Sequence, residues 1–439
     1  MKNKLPAALI QKLKQHKARI GVIGLGYVGL PLAVEYAKVG FHVTGIDVSE
    51  ERVKSLNKGI SYIPDVSEEE IRSLVKAGRL KATTSFETLR NIDGMMICVP
   101  TPLRKTKDPD ISYIVATVES LVKYLHRPQI IVLESTTYPG TTNELVLPML
   151  EATGLKAGKD FFLGFSPERI DPGNQIYTTT TIPKVVSGIT PACCEAIALM
   201  YGQVIRTVIP VSSTKVAEMV KLLENTFRSV NIGLVNELAL MCDPLGVNVW
   251  EVIEAAKSKP FGFMPFYPGP GLGGHCIPID PLYLSWKAKL HGFDPRFIEL
   301  ASQVNASMPP YVVQRVGEAL NDKGKSVKGS RVLVIGVAYK KNVGDMRESP
   351  ALEIIHLLRT KGAKVQYHDP FVPALREETY SLKSIPLSAA TLAQADCVVV
   401  VTDHDSLDYR FIERGSRLIL DTRNVFAKTR IRSNRIVTL

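Results

Sequence analysis

The feature that most constrains the fold is a glycine-rich turn between a predicted strand and a predicted helix. An apolar run begins at Arg19 and leads into Gly24-Leu-Gly-Tyr-Val-Gly29, which has the spacing G-x-G-x-x-G. A helix is predicted over residues 31–39, and a second strand over 43–46 ends at Asp47. A strand, a glycine turn, a helix and an acid about 20 residues further on are typical of a Rossmann-like dinucleotide-binding domain.

Each residue of this motif has a physical role if a dinucleotide binds. Gly24 allows the tight turn, Gly26 lets the backbone approach a pyrophosphate, and Gly29 lets helix and strand pack closely. The phosphates would lie at the positive end of the helix. Asp47 would accept the ribose hydroxyls and repel a 2′-phosphate, which predicts NAD rather than NADP. A glycine turn without a ligand is the alternative for the motif taken alone.

The alternation of strands and helices predicts a parallel, doubly wound sheet that runs to about residue 210. Apolar residues then recur at helical spacing over 214–242 without a break, and Asn248 is predicted to cap the next helix. A Pro/Gly-rich loop spans 260–281, and helix is predicted from 282 to about 320. The strand–helix pattern restarts at Arg331 without the later glycines of a dinucleotide motif. We therefore predict an α/β protein with three parts, a Rossmann-like NAD domain (1–210), a central long-helix dimerisation and catalytic-loop region (211–318) and a C-terminal Rossmann-like nucleotide-sugar-binding domain (319–439).

Composition excludes several classes of protein. The 439 residues carry a formal net charge of +11, but the basic residues are scattered, which favours an anionic small molecule or mere solubility over nucleic acid. No apolar run approaches the roughly 20 residues of a membrane span, and no signal peptide is predicted. The six cysteines show no CxxC pair or zinc-type spacing, so we expect no metal and a reducing cytosol.

Three further predicted strands end in short motifs, where a doubly wound sheet presents its ligands. The motifs are Val99-Pro100-Thr101-Pro102, Glu134-Ser-Thr136-Thr-Tyr-Pro-Gly140 and Phe165-Ser-Pro-Glu168-Arg169-Ile-Asp171. One of the acids of the third motif could serve as a general base. Each motif alone is also compatible with a turn, or with a salt-bridged turn in the third case.

Two segments of the central region carry candidate catalytic groups. Lys221 and Asn225 share one face of the long helix and could present an ammonium and an amide to a developing oxyanion. The run Gly271-Leu-Gly-Gly-His275-Cys276-Ile-Pro-Ile-Asp280 places a cysteine in a glycine-rich loop, as expected for an exposed nucleophilic thiolate. A packed helix interface and a buried structural cysteine are the respective alternatives.

Taken together and in order, these segments resemble the UDP-glucose/GDP-mannose dehydrogenase family from about Arg19 to the end. The family-like signatures are GLGYVGLP, CVPTP, ESTTYPG, FSPER, KLLENTFR, NELA, GPGLGGHCIPIDP and AYKKNVGDMRES. Each is weak alone, and the ordered set is highly specific. The resemblance implies an NAD-dependent, two-step, four-electron oxidation of a UDP-sugar at C6 through a cysteine thioester, in a homodimer or higher homo-oligomer.

The resemblance also implies roles for particular residues. Cys276 matches the nucleophile, and Lys221 and Asn225 match the oxyanion-stabilising pair. Asp280 matches the acid that helps to activate water, and Thr136 and Glu168 match residues that bind water and assist as base and in thioester hydrolysis. Residues matching the NAD site are Gly24, Gly26, Tyr27, Val28, Gly29, Asp47, Arg52, Pro100, Thr101, Thr136 and Arg347. Residues matching the substrate site are Glu168, Arg169, Lys221, Asn225, Tyr267, Gly273, His275, Tyr339 and Lys340.

Departures from the UDP-glucose branch of the family favour an acylated sugar. Ile279 stands where that branch has a lysine, and Pro172 stands where it often has a second glutamate, which leaves the role of Asp171 open. We therefore expect a UDP-N-acetylhexosamine substrate, with UDP-N-acetylglucosamine favoured over UDP-N-acetylmannosamine and UDP-glucose.

Two alternatives come from other classes. A two-electron β-hydroxyacid dehydrogenase needs neither Cys276 nor residues 331–439, and a non-catalytic binder of NAD or UDP-sugar need not retain Lys221, Cys276 and Asp280.

Overall fold

The computed structural model describes residues 5–63, 66–104, 108–170 and 177–439. The chain forms two compact units with an α/β fold. The first comprises Met1–Glu224 and Trp286–His291, and the second comprises Asn225–Ser285 and Gly292–Leu439. The predicted domain boundaries after residues 210 and 318 stay a prediction.

The first unit is built on a parallel six-stranded sheet in the order β3-β2-β1-β4-β5-β6. Its strands are β1 (Arg19–Ile23), β2 (His42–Ile46), β3 (Leu80–Thr83), β4 (Gly94–Ile97), β5 (Gln129–Leu133) and β6 (Phe161–Phe165). A separate parallel pair consists of β7 (Lys184–Val186) and β8 (Val208–Pro210). The strand order reverses between β1 and β4, and this switch point is where doubly wound sheets bind their ligands.

Helices cover both faces of this sheet. They are α1 (Ala7–Lys14), α2 (Gly29–Lys38), α3 (Glu50–Asn57), α4 (Glu68–Lys76), α5 (Ser112–Val122), α6 (Leu147–Glu151) and α7 (Pro191–Tyr201), with a 3₁₀ turn at Phe86–Asn91 and a π-helical turn at Thr142–Val146. Strand β5 shows why its sequence is continuously apolar. Ile130 and Val132 belong to one core and Ile131 and Leu133 to the other, since alternate side chains point to opposite faces.

The long helix predicted over 214–242 is confirmed as α8 (Thr214–Cys242), which has 29 residues and begins in one unit and ends in the other. It is followed by α9 (Val249–Lys257), capped by the side chain of Asn248 as predicted. The helical segment predicted from 282 to about 320 is helical but interrupted. It is two helices, α10 (Asp280–Leu290) and α11 (Arg296–Asn321), because Gly292 adopts a φ of +74° and Pro295 follows it.

The second unit contains a parallel five-stranded sheet in the order β10-β9-β13-β14-β15 and a small hairpin, β11–β12. Its strands are β9 (Arg331–Ile335), β10 (Lys364–His368), β11 (Ala374–Arg376), β12 (Ser381–Lys383), β13 (Cys397–Val400), β14 (Ile419–Asp421) and β15 (Ile436–Thr438). Its remaining helices are α12 (Pro350–Thr360), α13 (Ala389–Gln394), α14 (Tyr409–Gly415) and α15 (Val425–Lys428). Apolar cores lie on both faces of this sheet too. Within the described ranges, no helix combines the length and apolar character needed to cross a membrane.

Asp369 follows β10 as Asp47 follows β2, but its carboxylate has a different environment. It accepts hydrogen bonds from the backbone N–H groups of Val337 (2.7 Å) and Ala338 (3.0 Å), and His404 Nε2 lies 3.0 Å away. The side chain is fully buried. The second sheet thus uses this carboxylate to fix the loop that follows β9.

Candidate active site

The glycine turn of the first unit has a separate reason for each of its glycines. Gly24 has a φ of +91°, and a Cβ there would lie 2.5 Å from the carbonyl oxygen of Cys98. A Cβ on Gly29 would lie 1.8 Å from the carbonyl oxygen of Gly24. A Cβ on Gly26 would have no heavy atom of the described chain within 4 Å. Protein packing therefore requires the first and third glycines, whereas the open side of Gly26 suits a ligand that passes close to the backbone.

Asp47 is held in a defined orientation at the end of β2. Its Oδ2 accepts the N–H of Leu25 at 2.8 Å and its Oδ1 accepts the N–H of Ser49 at 2.9 Å. The guanidinium of Arg52, on α3, lies 3.4 Å from Oδ2. An ionised carboxylate has about four acceptor positions, so this arrangement leaves capacity for a ribose hydroxyl.

The other residues predicted to contact NAD in this unit lie near the same switch point. Tyr27 is 39% exposed, and Val28 precedes the first turn of α2. Pro100 is exposed and Thr101 is buried, both in the segment that follows β4, the neighbour of β1. The residues present fit a bound dinucleotide, with its phosphates at the N-terminus of α2.

A buried ionic cluster lies in the first unit. Lys184 Nζ, on β7, is 2.8 Å from Glu134 Oε2 and 3.2 Å from Glu168 Oε2. Tyr201 donates a hydrogen bond to the other oxygen of Glu134. Glu168 Oε1 accepts backbone N–H groups that include that of Ile170 at 2.7 Å. The structure thus brings the predicted base into contact with a lysine that sequence reasoning did not single out.

Burial and neighbouring charges separate the two carboxylates of this cluster. Burial, together with the charge of Glu168, raises the pKa of Glu134 to about 7. Burial also disfavours the ionised form of Glu168, but Lys184, the N–H of Ile170 and Lys221 outweigh it and lower the pKa of Glu168 below its usual value. Glu168 is therefore a carboxylate at neutral pH, the form that a general base requires.

The other predicted site residues of this unit differ in burial and in their partners. Thr136 is half-buried after β5, and Lys221 is only 9% exposed on α8. Arg169 forms a bidentate ion pair with Glu224, with N–O distances of 2.6 and 3.3 Å. Asp171 lies outside the described residues.

In the second unit, three predicted catalytic residues lie close together. Asn225 donates a side-chain hydrogen bond to Asp280, and both are only 3% exposed. Asp280 is the first residue of α10, and its N–H donates to the carbonyl oxygen of Cys276 at 2.8 Å. Cys276 is the exposed member of the six cysteines, all of which lie in the described ranges. Cys276 thus lies four residues before the start of α10, and its backbone is hydrogen-bonded to the residue that pairs with Asn225.

The glycine loop that precedes Cys276 packs against the C-terminal part of the same unit. A Cβ on Gly273 would lie 2.7 Å from Tyr339 Cβ and 2.9 Å from the carbonyl oxygen of Glu348. The N–H of Gly274 donates to the carbonyl oxygen of Arg347 at 2.9 Å. Gly273, which matches the family's substrate site, therefore also has a packing reason of its own. We infer that this packing holds Cys276 in a defined position.

Four other predicted residues of this unit have defined surroundings. Burial and the nearby Arg347 lower the pKa of His275, so its imidazole is neutral at pH 7. The guanidinium of Arg347 is paired with Asp345 at 2.6 Å. Tyr267 donates to Glu254 at 2.7 Å, and Lys340 is half-buried in the loop that follows β9.

Sequence reasoning missed two basic residues that the structure places in defined contacts. Lys184 interrupts the apolar segment Ile182–Val186, and a charge inside such a segment is the signal that could have indicated it. Arg423 donates its Nε–H to the carbonyl oxygen of Val401 at 2.7 Å, and its Nη1 would lie 2.9 Å from a Cβ on Gly269. No group of three or more potential metal ligands is assembled within the described ranges.

These features define a Rossmann-type dehydrogenase that carries an exposed cysteine and a second α/β unit. The sequence matches the UDP-glucose/GDP-mannose dehydrogenase family in its NAD binding domain (residues 18–205), its central domain (215–307) and its UDP binding domain (333–428). The chain therefore belongs to this family and is an NAD-dependent nucleotide-sugar dehydrogenase. The N-terminal NAD domain, central helical region and C-terminal UDP-binding domain expected from the sequence are confirmed.

Similar proteins carry related names. The chain is 37% identical over 388 residues to a UDP-N-acetyl-D-glucosamine 6-dehydrogenase of Pseudomonas aeruginosa, covering 88% of this chain and 90% of that protein. The structure of a UDP-D-ManNAc dehydrogenase from Pyrococcus horikoshii superposes with a TM-score of 0.85 at 34% identity, covering 93% of this chain and 96% of that one. That of an NDP-N-acetyl-D-galactosaminuronic acid dehydrogenase from Methanosarcina mazei Go1 has a TM-score of 0.81 at 31% identity, covering 99% and 98%.

Proposed function

We propose that this enzyme oxidises the C6 hydroxyl of a UDP-N-acetylhexosamine, with UDP-N-acetylglucosamine favoured, to the carboxylate through a thioester on Cys276. The observation that carries the proposal is the exposed Cys276, whose carbonyl oxygen accepts the N–H of Asp280, the residue that pairs with Asn225. A two-electron dehydrogenase needs no such thiol, whereas oxidation of an alcohol to an acid passes through an aldehyde that a thiolate can trap.

NAD, when bound, accepts the hydride that leaves C6 in each oxidation. Gly24, Gly26 and Gly29 would hold its pyrophosphate at the start of α2, and Asp47 would hold a ribose, with Arg52 beside it. The further cofactor contacts proposed are Tyr27, Val28, Pro100, Thr101, Thr136 and Arg347.

Side chains of the protein would act on the sugar one after another. Glu168, ionised at neutral pH, takes up the proton of the C6 hydroxyl directly or through a water held by Thr136. The thiolate of Cys276 then adds to the aldehyde carbon. Lys221 and Asn225 stabilise the negative oxygen that develops there.

The second oxidation leaves a thioester on Cys276, which water must cleave. Asp280 and Glu168 orient and deprotonate this water, its oxygen bonds to the acyl carbon, and the carbon–sulfur bond breaks. The thiolate leaves as the sugar acid forms, so Cys276 is regenerated.

The UDP part of the substrate would be bound by the second α/β unit, with Tyr339 and Lys340 close to the phosphates. The sugar would contact Arg169, Tyr267, Gly273 and His275. Ile279 in place of the lysine of the UDP-glucose branch, and the acylated sugars in the names of the three relatives, support an N-acetyl group on the substrate. The Pyrococcus structure makes UDP-N-acetylmannosamine the second candidate.

We expect UDP-N-acetylglucosamine to be oxidised and UDP-glucose to be a poor substrate. A site that hydrogen-bonds an acetamido group leaves its polar groups unpaired when that group is absent, which lowers kcat/KM strongly. NADH absorbance across a panel of UDP-sugars measures this. Equal kcat/KM for UDP-glucose would contradict the acylated-sugar assignment, and turnover of UDP-N-acetylmannosamine alone would favour the second candidate.

We expect kcat/KM to be far higher with NAD than with NADP. Asp47→Ala should lower the ratio of these two kcat/KM values by about tenfold or more. Removing the carboxylate removes its repulsion of a 2′-phosphate and frees Arg52 to pair with that phosphate. The measurement is kcat/KM for both cofactors. The control is Glu50→Ala, which removes a carboxylate from α3, the helix that carries Arg52. An unchanged ratio in Asp47→Ala would remove Asp47 from the cofactor site.

We also propose that the enzyme is a homodimer in the cytosol. Val216, Met219, Leu223 and Phe227 recur along α8 at spacings of three and four and are 39–59% exposed, as expected for an unpaired helix face. The six free cysteines suit a reducing compartment.

A further inference from the structure

Lys184 connects two buried carboxylates, and only one of them has a proposed catalytic role. Its side chain is 6% exposed, and those of Glu134 and Glu168 are 0% and 10% exposed. Burying ionic groups costs about as much free energy as their attraction returns, so such a cluster is weak evidence for stabilisation. A function for the cluster is therefore the more informative explanation.

Both oxygens of the Glu168 carboxylate accept hydrogen bonds from donors in defined positions. Oε1 accepts the N–H groups of Arg169 (2.6 Å) and Ile170 (2.7 Å), while Oε2 accepts from Lys184 Nζ at 3.2 Å. Glu134 lies on the far side of the ammonium, 2.8 Å from it. The ammonium is thus fixed by one carboxylate while it orients the other.

We propose that Lys184 is a positioning residue for Glu168, keeping its carboxylate in one orientation and in the ionised form, with Glu134 and Tyr201 anchoring the ammonium. This inference rests on the proposed role of Glu168 as a base. Lys184 itself need not touch the substrate or the cofactor.

The charged and titratable groups around this cluster come from several elements. They are Lys184 on β7, Lys221 on α8, Glu134 after β5, Tyr201 on α7, Tyr36 on α2 and Cys98 after β4. Burial raises the pKa of Glu168, and the charge of Lys184 is the largest effect that lowers it. Removing Lys184 must therefore raise this pKa. A base acts when it is deprotonated, so activity is present above this pKa and lost as the pH falls through it. Loss of Lys184 therefore moves the acid limb of the pH profile, the part in which activity falls as the pH is lowered, to higher pH.

The test uses a Glu134→Gln reference enzyme, because Glu134 itself titrates near neutral pH and would obscure the limb of Glu168. Lys184→Met in this background restores the original net charge of the cluster, since one negative and one positive charge are gone. We expect the acid limb to rise by about one pH unit or more and kcat at pH 7 to fall about tenfold, with KM for the UDP-sugar within about twofold. Lys184→Arg in the same Glu134→Gln background should recover most of kcat and return the acid limb to a pH close to that of the reference enzyme.

A reference-like pH profile and kcat in the Glu134→Gln/Lys184→Met enzyme would overturn the proposal, because the lysine would then merely neutralise Glu134. Lys184→Gln is made in parallel in the same background, so that a charge-free variant with a hydrogen-bonding side chain is available if the Met variant does not fold. The same criterion applies to it. Glu168→Gln separates the two proposals, because undiminished acid formation by that variant contradicts the role of Glu168 whatever Lys184 does.

Discussion

Cys276→Ala is expected to abolish formation of the sugar acid, lowering its rate on the order of 10³-fold or more, while the UDP-sugar still binds. The physical reason is that the second oxidation acts on the carbon–sulfur adduct, and alanine cannot form it. The wild-type enzyme should release two NADH for each acid. Two measurements decide these points. The ratio of NADH, by absorbance, to sugar acid, by mass spectrometry, gives the stoichiometry and the loss of acid formation, and calorimetry shows whether the UDP-sugar still binds.

Two further variants sharpen this prediction. Cys194→Ala, which removes the half-buried thiol on α7, should keep wild-type activity and controls for the loss of a thiol. Cys276→Ser should accumulate as an ester on the protein, because an alkoxide is a worse leaving group than a thiolate. One NADH per product, or near-normal acid formation by Cys276→Ala, would show that Cys276 is not the nucleophile.

Lys221→Met should lower kcat by about 10²–10³-fold, the usual loss when one oxyanion donor is removed. Lys221 is largely buried on α8, and its ammonium would stabilise the negative oxygen that develops in both additions to carbon. Lys215→Met is the matched control, because Lys215 lies on the same helix but is 55% exposed and pairs with Glu144. That control should change kcat by less than about twofold.

The charge of Lys221 also lowers the pKa of Glu168, so its removal moves the acid limb upward as well. The comparison of kcat is therefore made on the plateau above that limb, where Glu168 is ionised in both enzymes. A plateau kcat within about threefold of wild type would mean that Lys221 acts only through Glu168 and that oxyanion stabilisation lies elsewhere.

Local chemistry explains why much of the fold was predictable from the sequence. The positive φ of Gly24 is a property of the turn itself, and a Cβ at Gly29 would collide with Gly24, only five residues earlier. The helix over 214–242 was predicted to its bounds, since helical periodicity and the Pro244–Gly246 stop act within a few residues. The family was predictable because the order of short motifs along the chain is a property of sequence alone.

Local rules did not suffice where several weak signals compete. The helix predicted from 282 to about 320 was predicted without its interruption. Gly292 and Pro295 break it, whereas Pro309 and Pro310 lie inside α11 without ending it. Packing of the α11 core decides which of these signals prevails.

The sequence by itself determined the α/β class, the cofactor motif and the identity of the exposed candidate thiol. Only the tertiary structure decided which charges meet. Lys184 reaches Glu134 from 50 positions away and Asn225 reaches Asp280 from 55, and no local pattern encodes such separations. These contacts set the ionisation of Glu168, because burial and an ammonium act through space and depend on how the strands and helices are brought together.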